Sequence, residues 1–394
     1  MKNNEWNFPD KNSAHAEYEL PDPFRKPDGT RISAPSDWES QRTYLKSMLS
    51  HYLYGHVPPR PDNLTADLIK TESLYDGKAV RETVRLTFGP KRQAAFDVSV
   101  VRPNKAGRFP VITWNDEGNA TQFVCTCPIE ETAVCKMNYC IAAFNRKQIV
   151  PDSADFSECS LYRAYPQYDW RVITMWAWAQ SRIVDYLETV DYADMGKIVA
   201  TGFSRGGKTA LCAAVYDERF ALCAAAGSGC CGGGCLRFHG NRLGPKDGVC
   251  ETLGTITKKK RFWYWFSDII AEYGNHGGES LAGDECLLPF DLHFVKALIA
   301  PRPLITLDGL DDVWSNPYGT YLTWRAAAEV YRFLGAGDRF ALHFREGGHD
   351  YNALDWTAAL DFCNVMLFGK EKQTLYKTVS DKDECVHFQW RMPV

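Results

Sequence analysis

Ser204 lies in a short pattern that is typical of a nucleophilic serine. Residues 197–208 consist of an apolar, strand-like run, the sequence Gly202-Phe203-Ser204-Arg205-Gly206 and the start of a helix-forming run. Glycines beside a serine leave room for a sharp, strained strand-to-helix turn that exposes the hydroxyl at the edge of a sheet. The N-terminus of the following helix favours developing negative charge. The pattern therefore predicts a nucleophile elbow and serine-dependent hydrolysis.

A serine nucleophile needs a general base, and His349 is the best candidate. In the chain order that accompanies this elbow, the serine comes first, then an acid, then the histidine. His349 lies in Glu-Gly-Gly-His-Asp directly after a predicted strand at 340–344, where a glycine-rich turn can place an imidazole over the strand ends. Other histidines far enough downstream of Ser204 are His276, His293 and His343.

The acid that orients the histidine is expected in the loop Asp308-Gly-Leu-Asp-Asp312. This loop follows a predicted buried strand at 304–307. We favour Asp312, with Asp311 as the close alternative and Asp308 as a distant one. Aspartates also occur in turns for backbone reasons alone, so ordinary turn chemistry competes for any single one of them.

Donors for the charge that forms on attack are expected at two places. The backbone N–H of Arg205 supplies one donor, and the loop at 115–119, after a predicted strand, supplies another. The side chains of Arg205 and Lys208 add two cations close to the serine. They favour an anionic or polyhydroxylated substrate, although basic residues at a helix start are often simply solvated.

The surrounding pattern predicts an α/β fold. Strand-like runs are followed, from a long helical pattern at 170–187 onward, by alternating strands and helices. Such alternation is typical of a mostly parallel central sheet with helices on both faces, a three-layer sandwich. We expect one domain, 1–394, with a peripheral segment at 1–60 and an insertion over the active face at about 228–288. The first predicted strands are 81–88, 95–101, 109–114 and 139–144. Helical patterns occur at 38–54, 290–299 and 354–367.

Composition narrows the classes of partner. The chain has 394 residues, a net charge of −4 and 14 cysteines. It has no basic stripe and no apolar run of membrane-spanning length, so we expect neither a nucleic acid nor a membrane as partner. The closest cysteine groups, 125/127 and 230/231/235, lack zinc-site spacing, so we expect reduced thiols, no metal and no cofactor. We also expect a cytoplasmic location, or a secreted one if a leader has been lost.

Several motifs in order resemble the glucuronoyl esterase family of carbohydrate esterases. Residues 202–208 match that family's elbow, Gly-x-Ser-Arg-x-Gly-Lys. Segment 176–187 resembles that family's helix before the elbow, and segment 262–266 resembles its aromatic cleft segment. Segments 288–293 and 297–303 resemble the part that leads to its late strand. The resemblance covers about residue 20 to the C-terminus. It implies an α/β-hydrolase fold and the cleavage of esters on plant cell-wall saccharides, typically glucuronic acid esters on xylan.

The resemblance also implies roles for individual residues. Ser204 would be the nucleophile and His349 the base, Arg205 would lie near the oxyanion, and Lys208 would contact sugar hydroxyls. Further expected substrate contacts are Trp263, Trp265, His293 and Trp314.

The chain departs from the family pattern in one respect. Many members take their acid from Glu-Ser-Gly soon after the elbow, where this chain has Gly227-Ser228-Gly229. This departure moves the expected acid to Asp312. It also leaves two alternatives to a glucuronoyl esterase: an acetyl esterase on xylo-oligosaccharides or other small esters, and an inactive carbohydrate-binding protein.

Overall fold

One sheet organises the chain. The computed structural model describes residues 6–116, 127–240, 248–258, 261–276, 283–374, 376–378 and 387–394. Within these ranges ten strands pair in the order β1-β2-β3-β5-β4-β6-β7-β8-β9-β10. The strands are β1 Thr65–Leu74, β2 Ala79–Phe88, β3 Ala94–Pro103, β4 Phe109–Asp116, β5 Cys140–Asn145, β6 Ala193–Phe203, β7 Phe220–Ala226, β8 Leu304–Gly309, β9 Phe340–Arg345 and β10 Lys377–Thr378.

Helices connect and cover the strands. The α-helices in the described ranges are α1 Trp38–Leu49, α2 Arg146–Ile149, α3 Ser160–Ala164, α4 Val172–Leu187, α5 Arg205–Tyr216, α6 Leu253–Thr257, α7 Asp268–Ala271, α8 His293–Ala297, α9 Pro317–Phe333 and α10 Ala353–Phe368. Short 3₁₀ turns are Pro35–Asp37, Ala154–Glu158, Trp263–Trp265, Glu285–Leu287, Val313–Ser315 and Gly337–Arg339, and π turns are Ser50–Tyr54 and Thr132–Lys136.

The centre of the sheet is parallel. Strands β5, β4, β6, β7, β8 and β9 run parallel to one another. The pairs β1–β2, β2–β3 and β3–β5 at one edge and β9–β10 at the other are antiparallel. Parallel neighbours need long crossovers, which the helices supply. Strand β7 is almost wholly apolar because both faces of the sheet are covered. The α/β fold with a mostly parallel sheet is confirmed.

Two apolar clusters lie on opposite faces of the sheet. On one face, side chains from α1, α4, α5, α8 and α9 form the larger cluster, which includes the fully buried Trp176 and Trp324. On the other face α10 packs Trp356 and Leu360 against alternate residues of the central strands. Every residue of α4 is buried, as expected for a helix in the middle of one layer. The result is a three-layer sandwich with β6 near its centre.

Three elements differ from the expectations. The N-terminal helical pattern divides into α1 and a π turn, and it ends at Gly55, where a Cβ would lie 2.5 Å from the Asp169 carbonyl oxygen. The pattern missed β1 because this edge strand is exposed on both faces, so its apolar residues do not alternate with burial. The helix predicted at 290–299 shortens to α8. The segment from 228 to 288 forms only short helices and turns in its described residues.

Membrane-spanning helices, metal-binding clusters and cysteines can be assessed for the described residues. No helix of the described residues is both long and apolar enough to cross a membrane. Among the same residues, no three or more His, Cys, Asp or Glu side chains are placed to hold a metal ion. The twelve cysteines in the described part of the chain are free thiols.

Candidate active site

Ser204 occupies a strained turn between β6 and α5. Its φ is 57° and its ψ is −124°, a conformation that a residue with a Cβ adopts only when its surroundings enforce it. The Ser204 N–H donates a hydrogen bond of 2.9 Å to the carbonyl of Ala226 at the end of β7. The turn therefore presents the side chain at the carboxyl edge of the central strands.

Close backbone approaches explain the glycines of the elbow. A Cβ at Gly202 would lie 2.2 Å from the carbonyl oxygen of Gly206, and one at Gly206 would lie 2.4 Å from Asn115 Oδ1. At Gly207 a Cβ would lie 2.5 Å from the carbonyl oxygen of Ala226. These distances are shorter than any real Cβ contact, so each position needs a residue without a side chain.

His349 joins the serine to an acid. Its Nε2 is 2.9 Å from Ser204 Oγ, and its Nδ1 is 2.6 Å from Asp312 Oδ2. Because a carboxylate only accepts, Nδ1 carries the proton and Nε2 is left to accept the Ser204 hydroxyl proton. The Asp312 side chain is only 2% exposed, which strengthens its attraction for an imidazolium. The arrangement is that of a nucleophile, a base and an orienting acid.

The three aspartates of the late loop have different surroundings. Asp312 begins the turn Val313–Ser315, where its Oδ1 accepts from the Ser315 N–H at 3.2 Å, and Ser315 Oγ is 3.1 Å from His349 Nδ1. The Asp311 N–H donates to the Gly347 carbonyl at 3.0 Å. Burial, and then the neighbouring Asp312 charge, raises the pKa of Asp308, which favours its protonated form. The geometry favours Asp312 as the partner of the histidine.

The position where the family pattern has glutamate leaves no room for a side chain. Gly227 has a φ of +50°, and a Cβ there would lie 2.7 Å from Cε2 of Phe203. The Phe203 ring packs against the His349 imidazole, with centroids 4.6 Å apart. A side chain at position 227 would therefore collide with the Phe203 ring unless that ring moved.

Arg345 holds the loop that carries His349, a role that no pattern in the sequence indicated. Its guanidinium is buried, and its Nε donates to Asp355 Oδ2 at 2.6 Å. The other nitrogens donate to three backbone carbonyls of the loop: Glu346, Gly348 and Asp350. An arginine between a strand and a histidine is a weak sequence signal, because its partners become apparent only when the loop is folded.

Arg205 is held beside the nucleophile by a carboxylate and two aromatic rings. Its Nη1 pairs with Asp152, and its guanidinium lies 5.4 Å from the Phe262 ring centroid and 5.1 Å from that of Trp265. Asp152 was not identified from the sequence. Like Asp312, it follows a predicted strand, here 139–144, and that position is the signal that could have indicated it.

The second expected oxyanion donor is only partly described. The Asn115 side chain is buried behind the elbow, where its Nδ2 donates to the carbonyls of Thr201 and Gly206 at 3.1 Å each. This side chain therefore supports the turn. Residues 117–119 of the predicted loop lie outside the described residues.

Lys208 differs from its expected role as a contact to sugar hydroxyls. Its ammonium is buried and donates to the Ser228 carbonyl at 2.7 Å, the Cys230 carbonyl at 2.6 Å and Glu251 Oε2 at 2.7 Å. An ammonium has three protons, so these acceptors use all of them. Lys208 instead ties the start of α5 to the segment after β7. Glu251 gave no sequence signal, because it lies in a stretch without periodicity.

We expect Lys208→Met to destabilise the fold by about 3–5 kcal/mol, because it leaves the Glu251 carboxylate buried and unpaired. Thermal unfolding measures the effect. The exposed Lys91→Met is the matched control, with an expected change within about 0.5 kcal/mol. Adding Glu251→Gln to Lys208→Met should recover part of the loss, since it removes the unpaired charge. A melting temperature of Lys208→Met equal to that of wild type would contradict the structural role.

The four other expected substrate contacts separate into two groups. Trp263 and Trp314 are partly exposed, and the Arg261 guanidinium lies 4.8 Å from the Trp314 ring centroid. Trp265 is 2% exposed and is covered by the Phe262 ring, stacked at 4.0 Å. It contacts Arg205 and is not itself open to a substrate.

His293 is closed to solvent, contrary to the expectation that it contacts substrate. It is fully buried at the start of α8, and its Nε2 is 2.8 Å from the Pro21 carbonyl oxygen. Burial lowers the pKa of His293 to about 4, so the ring is neutral at pH 7. Its role is to attach the N-terminal segment to α8.

Known proteins are similar to this chain over most of its length. A family model described as "Glucuronyl esterase, fungi" matches residues 87–335, more than half of the chain. A carbohydrate esterase, MZ0003, from an unknown prokaryotic organism is 29% identical over 411 residues, covering 89% of this chain and 90% of that protein. The 4-O-methyl-glucuronoyl methylesterase 1 of Wolfiporia cocos is 29% identical over 328 residues, covering 81% of this chain and 73% of that protein.

Solved structures share the fold over nearly the whole chain. A carbohydrate esterase family 15 glucuronoyl esterase from Caldicellulosiruptor kristjansonii has a TM-score of 0.80 at 28% identity, covering 96% of this chain and 98% of that chain. A glucuronoyl esterase from Solibacter usitatus has a TM-score of 0.75 at 25% identity, covering 90% of this chain and 99% of that chain. The α/β-hydrolase fold predicted from the sequence is confirmed.

Proposed function

Because the chain belongs to the glucuronoyl esterase family of carbohydrate esterases, we propose that it hydrolyses glucuronic acid esters of xylan or its fragments. The resemblance seen in the sequence and the class of carboxylic ester hydrolase are confirmed by the family match and by the curated methylesterases. One observation carries the proposal for this chain: the hydrogen-bonded series Ser204, His349 and Asp312. The cytoplasmic location remains a prediction.

The proposed reaction has two halves. Ser204 Oγ attacks the ester carbonyl while His349 Nε2 takes its proton, and the oxyanion is stabilised by the Arg205 side chain and backbone N–H groups at the start of α5. The bond to the alcohol then breaks, and His349 returns the proton to the leaving oxygen. Water attacks the acyl-enzyme by the same route, which releases glucuronic acid and restores the Ser204 hydroxyl.

The surroundings of the serine support a saccharide acid as the acyl group. Trp314 is partly exposed and lies in the chain between Asp312 and Ser315, both of which contact His349. An aromatic face suits the apolar face of a sugar ring. The Arg205 guanidinium lies beside the Phe262 ring, and the Arg261 guanidinium lies beside the Trp314 ring. Their positive charge suits the carboxylate that hydrolysis produces.

Relative turnover of two esters tests the proposal. We expect kcat/KM of the wild-type protein for methyl 4-O-methyl-glucuronate to exceed that for acetylated xylo-oligosaccharides by at least about 100-fold, since the site must recognise the uronic acid as the acyl part. Titration of released acid measures both reactions in the same way. Methyl galacturonate, which has the opposite configuration at C4 and lacks the 4-O-methyl group, is the control for recognition of the uronic acid. Faster release of acetate than of glucuronate would overturn the proposal in favour of the acetyl esterase alternative.

A further inference from the structure

We propose that Asp152 is a positioning residue that holds the Arg205 guanidinium where the oxyanion forms. The inference rests on the proposed function, because it assigns Asp152 a part in that reaction through Arg205. Asp152 follows β5 and α2, whereas Arg205 begins α5, so the pair connects two separate loops at the carboxyl edge of the sheet.

The Asp152 carboxylate is built into a set of donors. Its Oδ2 pairs with Arg205 Nη1, and its Oδ1 accepts from Trp265 Nε1 at 2.8 Å and from the Tyr264 hydroxyl at 3.2 Å. The Tyr264 hydroxyl also lies 3.0 Å from the Asp152 carbonyl oxygen. Burial, and then the Asp152 charge, raises the pKa of Tyr264, which keeps its hydroxyl protonated as a donor. The carboxylate is thus fixed from the side opposite Arg205.

The aromatic segment supports the same geometry. Phe262 and Trp265 stack at 4.0 Å with an angle of 5° between their planes, and the guanidinium lies within 5.4 Å of both centroids. The Asp152 side chain is 7% exposed and the Arg205 side chain is 26% exposed. One end of the ion pair is therefore buried, while the other end is partly exposed.

The physical need for such a partner follows from the flexibility of arginine. A free arginine side chain has many rotamers, and freezing one during the reaction costs free energy in each turnover. A donor contributes most to an oxyanion site when it is already in place before the charge appears. The carboxylate reduces the net positive charge at this point, but the orientation that it imposes outweighs that loss because the pair is bound in a fixed geometry.

Asp152→Asn isolates this role. The asparagine keeps the size of the side chain, and its oxygen still accepts from Trp265 Nε1, but its NH₂ group then faces Arg205 Nη1 and repels it. We expect kcat for methyl 4-O-methyl-glucuronate to fall about tenfold with little change in KM. Asp155→Asn, which removes an equal charge from an exposed position three residues on, should leave both constants at wild-type values.

A double-mutant cycle tests whether Asp152 acts through Arg205. Arg205→Ala should lower kcat further than Asp152→Asn, and the double variant should be no slower than Arg205→Ala alone. Multiplied effects in the double variant, or wild-type kcat in Asp152→Asn, would overturn the proposal. Misfolding would lower the apparent kcat by reducing the fraction of active enzyme, without changing KM, so kcat is expressed per serine that diisopropyl fluorophosphate labels at completion.

A second probe tests the positioning role of Asp152 independently of the proposed glucuronate ester substrate. Diisopropyl fluorophosphate forms a bond between Ser204 Oγ and phosphorus as fluoride leaves and His349 takes the serine proton, so it tests the oxyanion site without a sugar. We expect the rate of this labelling to fall in Asp152→Asn and to remain unchanged in Asp155→Asn. If wild type labels but cleaves no glucuronate ester, the proposed substrate fails and the positioning role is still decided. Equal labelling rates in Asp152→Asn and wild type would overturn it.

Discussion

Ser204→Ala is expected to lower kcat for methyl 4-O-methyl-glucuronate by about 10⁴- to 10⁶-fold, because it removes the atom that forms the acyl-enzyme. The elbow backbone holds its strained conformation through the Ala226 carbonyl and the close approach of Gly202 and Gly206. These contacts do not involve the hydroxyl, so the fold and KM should change little. Initial rates with titration of released acid, together with thermal unfolding, measure the two effects.

The control for this prediction is Ser160→Ala, at an exposed position in α3, which should retain wild-type turnover. Turnover of Ser204→Ala within tenfold of wild type would contradict a covalent mechanism. Absence of serine-dependent turnover of either ester by the wild-type protein, with binding of the intact ester retained, would favour the carbohydrate-binding alternative.

Asp312→Asn is expected to lower kcat by about 10⁴-fold, because an amide in place of the carboxylate holds His349 in the wrong tautomer. The asparagine NH₂ would donate to Nδ1, so the ring proton would move to Nε2, which then could not accept from Ser204. Asp311→Asn is the matched control, since it makes the same change at the neighbouring position. It should remain within a few fold of wild type.

The comparison of these two variants identifies which aspartate orients His349. The pH dependence of kcat is a further measure, because loss of the carboxylate removes the group that stabilises the imidazolium. Near wild-type turnover in Asp312→Asn, or a greater loss in Asp311→Asn, would show that the 2.6 Å contact between Asp312 and His349 is not the one that matters.

Local patterns allowed much of the fold to be predicted. The apolar run of β6, the glycines at 202 and 206 and the helix-forming residues of α5 are neighbours in the chain, and together they specify a strand, a tight turn and a helix. Helix α10 and the loop after β9, which carries His349, could likewise be predicted from residues that are neighbours in the chain. Strand β1 could not be predicted in this way, because a strand exposed on both faces leaves no alternation in the sequence.

The partners of charged side chains could not be predicted. Lys208 is one turn after Ser204, which suggested an open contact to substrate, yet it is buried by acceptors from the segment after β7 and by Glu251. His293 follows the elbow at a plausible distance, yet it binds the N-terminal segment. Both assignments depend on which distant segments pack together, and residue type does not encode that.

The sequence by itself determined the α/β fold, the serine elbow and the family, because these depend on short-range periodicity and on the space that glycines leave. The tertiary structure decided which acid meets His349, why position 227 cannot supply it, and that Asp152 holds Arg205. Each of these depends on loops that are far apart in the chain and meet at one edge of a parallel sheet, where side-chain volume and charge are matched only after folding.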